Sequence, residues 1–286
     1  MSLASEFKES LKTVDSEEIF DLIIFRPISF FLVKLIYNTN ITPNQISIVA
    51  LIFGVLSGVF YGFATHQFFI LASISFFICN TLDCMDGQLA RLKKNGTKIG
   101  RVIDGFIDYI TSISVFLGLG IAMTFITGDP VYSWALTIAA GISKAIQNMF
   151  FDNYRNMYLE YVYNKASSLD EEIEEYSEEK ERLKNVNGKG MEKFLISLYL
   201  AYSNFQKKST SHVELKVSPE VYKSENKTLL RLWSWIGSTT HMMILIFFSL
   251  INRIDLYLIF AITIGNVIFI LLLIWQKSVI KKLSLG

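Results

Sequence analysis

No Asp, Glu, Lys or Arg occurs between Leu35 and Leu82, and this uncharged stretch of 48 residues is the strongest constraint on how the chain folds. An α-helix needs about 20 apolar residues to cross a membrane, so the stretch is long enough for two crossings joined by a tight turn. Pro43 suits the first turn of a helix, and the turn falls near His66. The sequence therefore predicts membrane-spanning helices over about 43–64 and 67–91.

Further apolar segments extend this pattern to six transmembrane helices. Hydrophobic residues make up 51% of the chain, which is typical of a membrane protein. We expect four more spans, at about 99–127, 130–152, 232–251 and 255–276. No ten-residue alternating pattern indicates a β-barrel. The predicted fold class is therefore an all-α integral membrane protein with six transmembrane helices.

Polar segments divide the chain into four predicted parts. These are a cytoplasmic N-terminal segment with an interfacial helix (1–40), the first four spans (41–162), a hydrophilic cytoplasmic insertion (163–227), and the last two spans with a basic tail (228–286). The interfacial helix, over 21–40, mixes Arg26 and Lys34 with aromatic residues. Within the insertion, 170–184 has the charge pattern of a solvated helix, and 191–205 is apolar enough to lie on the membrane or dock against the core.

The distribution of Lys and Arg predicts the orientation, because cytoplasmic loops carry an excess of these residues. The turns at 65–67, 127–131 and 252–255 hold one basic residue, Arg253. The opposite side holds Arg91, Lys93, Lys94, Lys98, Arg101, Lys165, Lys277, Lys281 and Lys282. We therefore expect that side and both termini to face the cytoplasm, in a protein of the cytoplasmic membrane.

Net charge and cysteine content argue against several other classes. The formal net charge is +1, so no global field indicates a nucleic-acid partner. Cys79 and Cys84 fall on different faces of a predicted helix, which fits two buried apolar side chains better than a disulfide or a zinc site. The N-terminal residues are polar and show no signal-peptide core, so we expect them to stay in the cytoplasm.

Four aspartates stand near the predicted cytoplasmic ends of the second and third spans, where a lipid-facing protein should avoid charge. Asp83 and Asp86 share one helical stripe, and Asp104 and Asp108 share a stripe on the next helix. Because the loop at 92–98 is short, we expect the two helices to be antiparallel neighbours whose carboxylates converge. Like charges about 4 Å apart repel by about 4 kcal/mol at an effective dielectric of about 20, so either some carboxyls are protonated or cations bind. Hard divalent metals prefer carboxylate oxygens, which favours a metal site.

Small and basic residues accompany the aspartates at helical spacing. Gly87 and Ala90 lie on the stripe of the first two aspartates, and Gly100 precedes the third by one turn. Together they leave room for a flat base or a phosphate. Arg91 closes the stripe with a guanidinium, which is suited to phosphate oxygens. Taken singly, the small residues also fit close helix packing and Arg91 fits a basic residue reaching to the interface.

The complete pattern Asp83-x2-Asp86-Gly87-x2-Ala90-Arg91-x8-Gly100-x3-Asp104-x3-Asp108 resembles the signature of the CDP-alcohol phosphotransferases. The segment ITPNQISIVALIFGVLSG (41–58) is also similar to the first span of that family, especially of its archaeal and bacterial inositol-phosphate-transferring members. The resemblance covers about 40–160 and extends loosely to the C-terminus, while the 163–227 insertion follows no pattern of the family.

This resemblance implies a membrane enzyme of phospholipid biosynthesis, in which a CDP-linked donor and an alcohol give a phosphodiester and CMP. One of the two substrates is a lipid, and the enzyme is a homodimer. The resemblance also implies roles for single residues. Asp83, Asp86 and Asp104 hold two divalent ions, Mg²⁺ or Mn²⁺, while Asp108 contacts a metal and acts as the general base. Gly87, Ala90 and Gly100 make room for the donor, Arg91 binds its phosphate, and Thr97 and Asn44 are weaker donor contacts.

Two other classes stay open on the residues alone. A cation transporter also places aspartates in the membrane, but it predicts polar residues through the full thickness of the bilayer, and the outer halves of these spans hold almost none. An aspartate-rich prenyltransferase also uses Mg²⁺ and diphosphate, but needs two separated motifs. Lys144 and Arg155 are ambiguous, each fitting either a substrate phosphate or a structural role. His241 fits a satisfied buried histidine better than a catalytic one.

Overall fold

The computed structural model describes residues 3–164, 169–184, 186, 188–209 and 217–285, and its regular elements in these ranges are helices. The α-helices are α1 Leu3–Ser10, α2 Arg26–Ile36, α3 Pro43–Gly62, α4 His66–Lys93, α5 Lys98–Thr127, α6 Pro130–Tyr163, α7 Leu169–Leu183, α8 Gly190–Ser209, α9 Pro219–Trp233, α10 Ser238–Leu250, α11 Ile254–Ile262 and α12 Ile264–Leu285. A π-helical turn, Asp21–Phe25, precedes α2, and a 3₁₀ turn, Ser234–Ile236, precedes α10. The predicted all-α class is confirmed.

Within the described residues, four segments are long and apolar enough to cross a membrane. They are Pro43–Gly62, His66–Lys93, Val102–Thr127 and Ile254–Ser284, which match the first, second, third and sixth predicted spans. The fourth predicted span lies in α6, where Lys144 and Gln147 reduce the apolar character. The fifth lies in α10, which has only 13 residues. The apolar helices confirm an integral membrane protein, but not the number of six crossings.

The predicted continuous helix over 232–251 is wrong, because the chain breaks it at Gly237. Glu18 causes this break: its carboxylate accepts hydrogen bonds from the backbone N–H groups of Thr239 and Thr240, at 3.3 and 3.1 Å, and so caps the start of α10. A Cβ atom at Gly237 would lie 2.4 Å from the Glu18 carboxyl carbon. Position 237 therefore requires glycine, because any larger side chain would clash with the Glu18 carboxyl group.

Helix α3 packs along both α4 and α5 and sets their positions. Its crossing with α5 is unusually close, since a Cβ atom on Gly58 would lie 2.2 Å from the Ser114 hydroxyl and one on Gly118 would lie 2.0 Å from the Gly58 carbonyl oxygen. Small residues allow such close approach of membrane helices. A short loop after Lys93 joins α4 to α5, as predicted. The two helices make few direct contacts, however, because each of them packs along α3, so the prediction that they are packed neighbours is wrong.

A buried polar network supports the break between α11 and α12. The Gln147 amide donates hydrogen bonds to the Ala261 carbonyl (3.1 Å) and to Asn266 Oδ1 (2.9 Å), and so satisfies backbone freed at the break. His241 is fully buried and lies 2.7 Å from Gln147 Oε1 through its Nε2 atom. The expectation of a satisfied buried histidine is confirmed, as is that of two buried free cysteines.

The N-terminal segment differs most from expectation. We expected polar residues that remain in the cytoplasm, but α1 and the residues after it fold against α4, and Ser10, Glu17, Glu18 and Asp21 are all buried. Arg26 binds Glu17 with its Nη2 atom at 2.9 Å from Oε2. The segment is therefore part of the folded core next to the aspartates.

The part of the insertion that the structure describes is largely helical. α7 and α8 pack against each other, and α8 also packs against α5, through a small core that includes Tyr176, Leu195 and Ile196. α9 packs against α6 and α12, with Tyr222 stacked on Tyr161 at 4.7 Å between ring centroids. Of the basic residues used to predict orientation, Lys165 and the side chains of Lys98 and Arg101 lie outside the described part of the chain.

Candidate active site

Three of the four predicted metal-binding aspartates form one group. Asp83 and Asp86 lie on α4, Asp104 lies on α5, and one carboxylate oxygen from each lies within 4.8 Å of the others. Asp86 is buried and the other two are partly exposed, so the group faces an accessible space. The structure therefore brings together carboxylates that the sequence separates by up to 21 residues.

Asp108 lies one turn farther along α5, outside this group. It lines a cavity together with Ser112 and Lys144, and its side chain is exposed there. The Lys144 ammonium donates a hydrogen bond to Ser112 Oγ at 3.1 Å and lies 5.9 Å from the centre of the Phe116 ring. Asp108 is thus placed beside both the carboxylate group and this cavity, and its roles as metal ligand and general base stay predictions.

Ser47 is a site residue that the sequence analysis missed. Its hydroxyl donates a short hydrogen bond to the Asp86 carboxylate and so fixes one of the three acids from α3. The available signal was its position three residues after Asn44, which puts both polar side chains on one face of an otherwise apolar helix. The third helix of the site is therefore α3.

Arg91 lies over Gly87, on the same helix as the first two aspartates. A Cβ atom at Gly87 would lie 3.2 Å from Arg91 Nη2, so the glycine makes room for the guanidinium. Arg91 Nε donates to the Ser10 carbonyl, while its Nη2 atom is buried and has no hydrogen-bond partner among the described residues. A buried, unused donor next to a carboxylate group is suited to an anionic ligand.

The start of α5 brings together the remaining predicted residues. Thr97 caps the helix, since its hydroxyl accepts a hydrogen bond from the Gly100 N–H at 2.9 Å. A Cβ atom at Gly100 would lie 2.9 Å from that hydroxyl and 3.5 Å from Asn44 Oδ1. Ala90 is close to the same loop, 3.8 Å from where a Cβ atom of Gly96 would be. These residues adjoin one another, and their contacts with a donor stay predictions.

Basic side chains from the N-terminal segment and from α6 lie near the group of aspartates. Arg26 Nη1 donates to the Cys84 carbonyl at 3.2 Å, directly behind Asp83 on α4. Lys12 lies within electrostatic reach of Asp104, and the charge of the neighbouring Arg155 lowers the pKa of Lys12 to about 8. The sequence analysis did not foresee Lys12, since nothing in a polar N-terminus indicates that it folds onto a helix about 90 residues away.

The donor set fits a divalent metal. Mg²⁺ and Mn²⁺ prefer oxygen ligands, and a group of three carboxylates without a bound cation is electrostatically costly. Asp83 also lies within electrostatic reach of Asp108, which adds a fourth negative charge. Divalent metal is therefore the ligand that these residues are best suited to hold.

Comparison with known proteins agrees with this geometry. Residues 40–159 match the family model described as CDP-alcohol phosphatidyltransferase. The chain is 32% identical over 95 residues to the inner membrane protein YnbA of Escherichia coli, and 30% identical over 104 residues to the archaetidylinositol phosphate synthase of Pyrococcus horikoshii. It is 25% identical over 130 residues to the bifunctional IPC transferase and DIPP synthase of Thermococcus kodakarensis.

These similarities are confined to part of each chain. The match to YnbA covers 33% of this chain and 45% of the relative, and the match to the archaetidylinositol phosphate synthase covers 33% and 52%. The match to the bifunctional IPC transferase and DIPP synthase covers 46% of this chain and 28% of the relative. They support the resemblance to the inositol-phosphate-transferring members. The family match spans α3, α4, α5 and most of α6, which carry all of the predicted site residues. Residues 40–159 are therefore similar to the CDP-alcohol phosphatidyltransferase family, in the part of the chain that carries the aspartates.

Proposed function

We propose that the protein transfers a phospho-alcohol group from a CDP-linked donor to an alcohol acceptor and releases CMP, in the synthesis of a phospholipid. One observation carries this proposal: Asp83, Asp86 and Asp104, which the family pattern requires, meet within 4.8 Å on two helices that a short loop joins. On the same basis we propose that the substrates are a CDP-linked donor and an alcohol acceptor, and that one of the two is a lipid. The relative named archaetidylinositol phosphate synthase makes an inositol phosphate the first acceptor to test.

Asp83, Asp86 and Asp104 would hold two divalent ions, with Asp108 as a further ligand. Such ions neutralise negative charge on the diphosphate of the donor and on the leaving CMP. Arg91, with its unused Nη2 donor, would bind a donor phosphate. By the family resemblance, Gly87, Ala90 and Gly100 would make room for the rest of the donor, and Thr97 and Asn44, which adjoin Gly100, would contact it.

Asp108 acts as the general base in this proposal. The acceptor hydroxyl oxygen forms a bond to the β-phosphorus of the donor as the bond from that phosphorus to the CMP oxygen breaks. The hydroxyl proton passes to the Asp108 carboxylate, and CMP leaves with the electron pair of the broken bond. A carboxylate within hydrogen-bond reach of the attacking group typically contributes a factor of about 10²–10⁴ to such a step.

We also propose six crossings, an active site that faces the cytoplasm, and a homodimer. The excess of Lys and Arg on one side supports this orientation. In this arrangement α6 and the segment from Ser234 to Leu250 would supply the two remaining crossings. Labelling of single cysteines introduced at Asn95 and Asn252 in intact cells tests the orientation, because only one of the two should react with an impermeant reagent.

CMP release from the purified protein tests the proposed reaction. CDP-diacylglycerol is offered with inositol phosphate or other alcohols, in Mg²⁺, Mn²⁺ or EDTA. We expect CMP only with metal and with a suitable acceptor. CMP formation in EDTA at the rate seen with metal would contradict the role of the ions, and cation flux through reconstituted vesicles without any CMP would favour the transporter hypothesis.

A further inference from the structure

A cavity of about 570 Å³ extends from Asp108 to the insertion. Its walls come from α5, α6 and α8, and its size falls in the range of about 300–1,000 Å³ that is typical of small-molecule sites. The Asp83, Asp86 and Asp104 side chains are not among its lining residues. The cavity is therefore separate from these three grouped carboxylates, and it begins at the predicted general base.

The cavity has one polar end and a long, mostly apolar wall. Asp108, Ser112 and Lys144 form the polar end, and the polar side chains of Asn148, Asp152 and Ser238 also line the cavity. The wall is lined by aromatic and aliphatic side chains, among them Phe106, Tyr109, Phe116, Met149, Leu195 and Tyr202. Such a distribution fits a ligand with a polar group at the reacting centre and a hydrocarbon chain behind it.

The rim of the cavity continues the lipid-facing surface. Ile113 on α5 and Ile146 on α6 line the cavity and are 59% and 40% exposed. Farther along the same helices, Leu117 and Ile142 are exposed as well. Because exposed apolar side chains on a membrane protein face lipid, a chain can enter sideways from the bilayer.

Helix α8 closes the cavity on the side away from the catalytic helices. Leu195, Leu198, Tyr199, Tyr202 and Phe205 all line it. The helix is held there by the contact of Tyr202 with Tyr109, at 5.6 Å between ring centroids, and by the hydrogen bond from Gln206 Nε2 to the Met149 carbonyl, at 3.5 Å. It lies outside the residues that match the family model, so this wall is particular to the insertion.

We propose that the cavity between α5, α6 and α8 holds a hydrocarbon chain of the lipid substrate, and that α8 sets the length of chain that fits. This proposal rests on the proposed transferase function and adds a role for the insertion. The chain belongs either to the CDP-linked donor or to the acceptor, and the two assignments share the same chemistry at this site.

A chain-length series tests the proposal. Leu198→Trp fills the cavity from α8, and Gly105→Leu fills it from α5, where an added Cβ atom meets nothing within 4 Å. Met191→Trp is the control, since Met191 is on α8, is 69% exposed and does not line the cavity. Rates of CMP release are compared for CDP-diacylglycerols with chains of 8 to 18 carbons, and separately for diacylglycerols of the same lengths with a CDP-linked polar alcohol.

Both filling variants should lose about tenfold in kcat/KM on the longest chains and little on the shortest, because losing burial of about two methylenes costs roughly that factor. Met191→Trp should match the wild type. If this length dependence appears with the CDP-diacylglycerols, the donor carries the chain. If it appears with the diacylglycerols, the acceptor carries it. Equal losses at all lengths, or none, in variants that melt like the wild type would overturn the proposal.

A second measurement does not require turnover. A phospholipid with a diazirine at the end of one acyl chain is photolysed with the purified protein, and the labelled peptides are identified by mass spectrometry. We expect labels on the peptides that contain Leu198 to Phe205, which decrease in Leu198→Trp. If the wild type releases CMP but α8 is never labelled, the inference fails while the function stands. If no CMP appears with any substrate but α8 is labelled, the transferase function fails and the cavity is a lipid site of another kind.

Discussion

Two groups of acids lie close together in this protein, and they are treated in opposite ways. In the N-terminal segment, each buried acid has donors within the protein: Glu17 binds Arg26, Glu18 caps α10, and Asp21 accepts from the Thr239 hydroxyl at 3.0 Å. On α4 and α5, the described residues provide fewer hydrogen-bond donors to the acidic side chains. Ser47 donates to Asp86, while Asp83 and Asp104 face each other, with one carboxylate oxygen of each within 4.8 Å of the other.

This difference in hydrogen bonding distinguishes acids that stabilise the fold from acids that are suited to bind metal. A buried acid with its own donors stabilises the fold, since its hydrogen-bonding capacity is satisfied internally. Carboxylates that face one another raise the energy of the folded protein until a cation binds. The first group should therefore matter for stability in any buffer, whereas the second should matter for metal binding and activity.

The largest expected effect is on the aspartates of α4 and α5. Asp83→Asn should abolish turnover, by about 10³-fold or more, because it removes a ligand of the ions that neutralise the diphosphate. It should also raise the melting temperature in EDTA, since one repelling charge is gone, and remove the rise that Mg²⁺ causes in the wild type. An unchanged metal titration in this variant would contradict the assignment of Asp83.

Asp108→Asn should separate the base from the metal group. We expect CMP release to fall by about 10²–10⁴-fold, the contribution of a general base, while donor binding and the Mg²⁺-induced rise in melting temperature largely persist. Calorimetric titration of Mg²⁺ and donor measures the retained binding. Full activity in Asp108→Asn would remove the base role.

Glu17→Gln tests the opposite behaviour of the N-terminal group. Removing one partner of a buried ion pair costs about 3–5 kcal/mol, so the melting temperature should drop by on the order of 10 °C. Below that temperature the variant should still bind Mg²⁺ with wild-type affinity. A variant as stable as the wild type that no longer binds metal would invert the comparison.

The smallest expected effect is a change in pH dependence at Glu18. Burial, with a contribution from the nearby Asp21, raises the pKa of Glu18 to about 8 from its ordinary value of 4.5. The folded protein therefore retains a proton that the unfolded chain releases, so this group's contribution to stability is full below pH 4.5 and is lost as the pH rises to about 8.

Glu18→Gln should remove that dependence. The variant keeps one acceptor oxygen, so it should be a few degrees less stable than the wild type at pH 5, and the difference should shrink or reverse at pH 8.5. Melting curves in one detergent at several pH values provide the measurement. A constant difference between the two proteins would show that Glu18 does not titrate in this range.

Local pattern was enough to predict much of this protein. The uncharged run from Leu35 to Leu82 predicted α3 and α4. The spacing from Asp83 to Asp108 predicted that four carboxylates converge, and three of them form one group. Both signals arise because neighbouring turns of one helix, or two helices joined by a short loop, place side chains by spacing alone.

Contacts between distant segments could not be predicted in this way. The break at Gly237 depends on Glu18, which is 219 residues away. Likewise, the crossing of α3 and α5 depends on Gly58 meeting Gly118, and the wall of the cavity depends on where α8 docks. None of these contacts is indicated by a periodic pattern or a characteristic spacing in the sequence.

The sequence by itself determined that the chain is helical, enters a membrane, and carries a carboxylate group for divalent metal at one end of two helices. Those properties follow from runs of apolar residues and from helical spacing, which act locally. Only the tertiary structure decided that the N-terminal segment is built into the site and that α8 closes a cavity at Asp108. Such packing between remote segments depends on how whole surfaces fit together, and one polar residue such as Lys12 or Glu18 looks the same in a sequence whether it is solvated or enclosed.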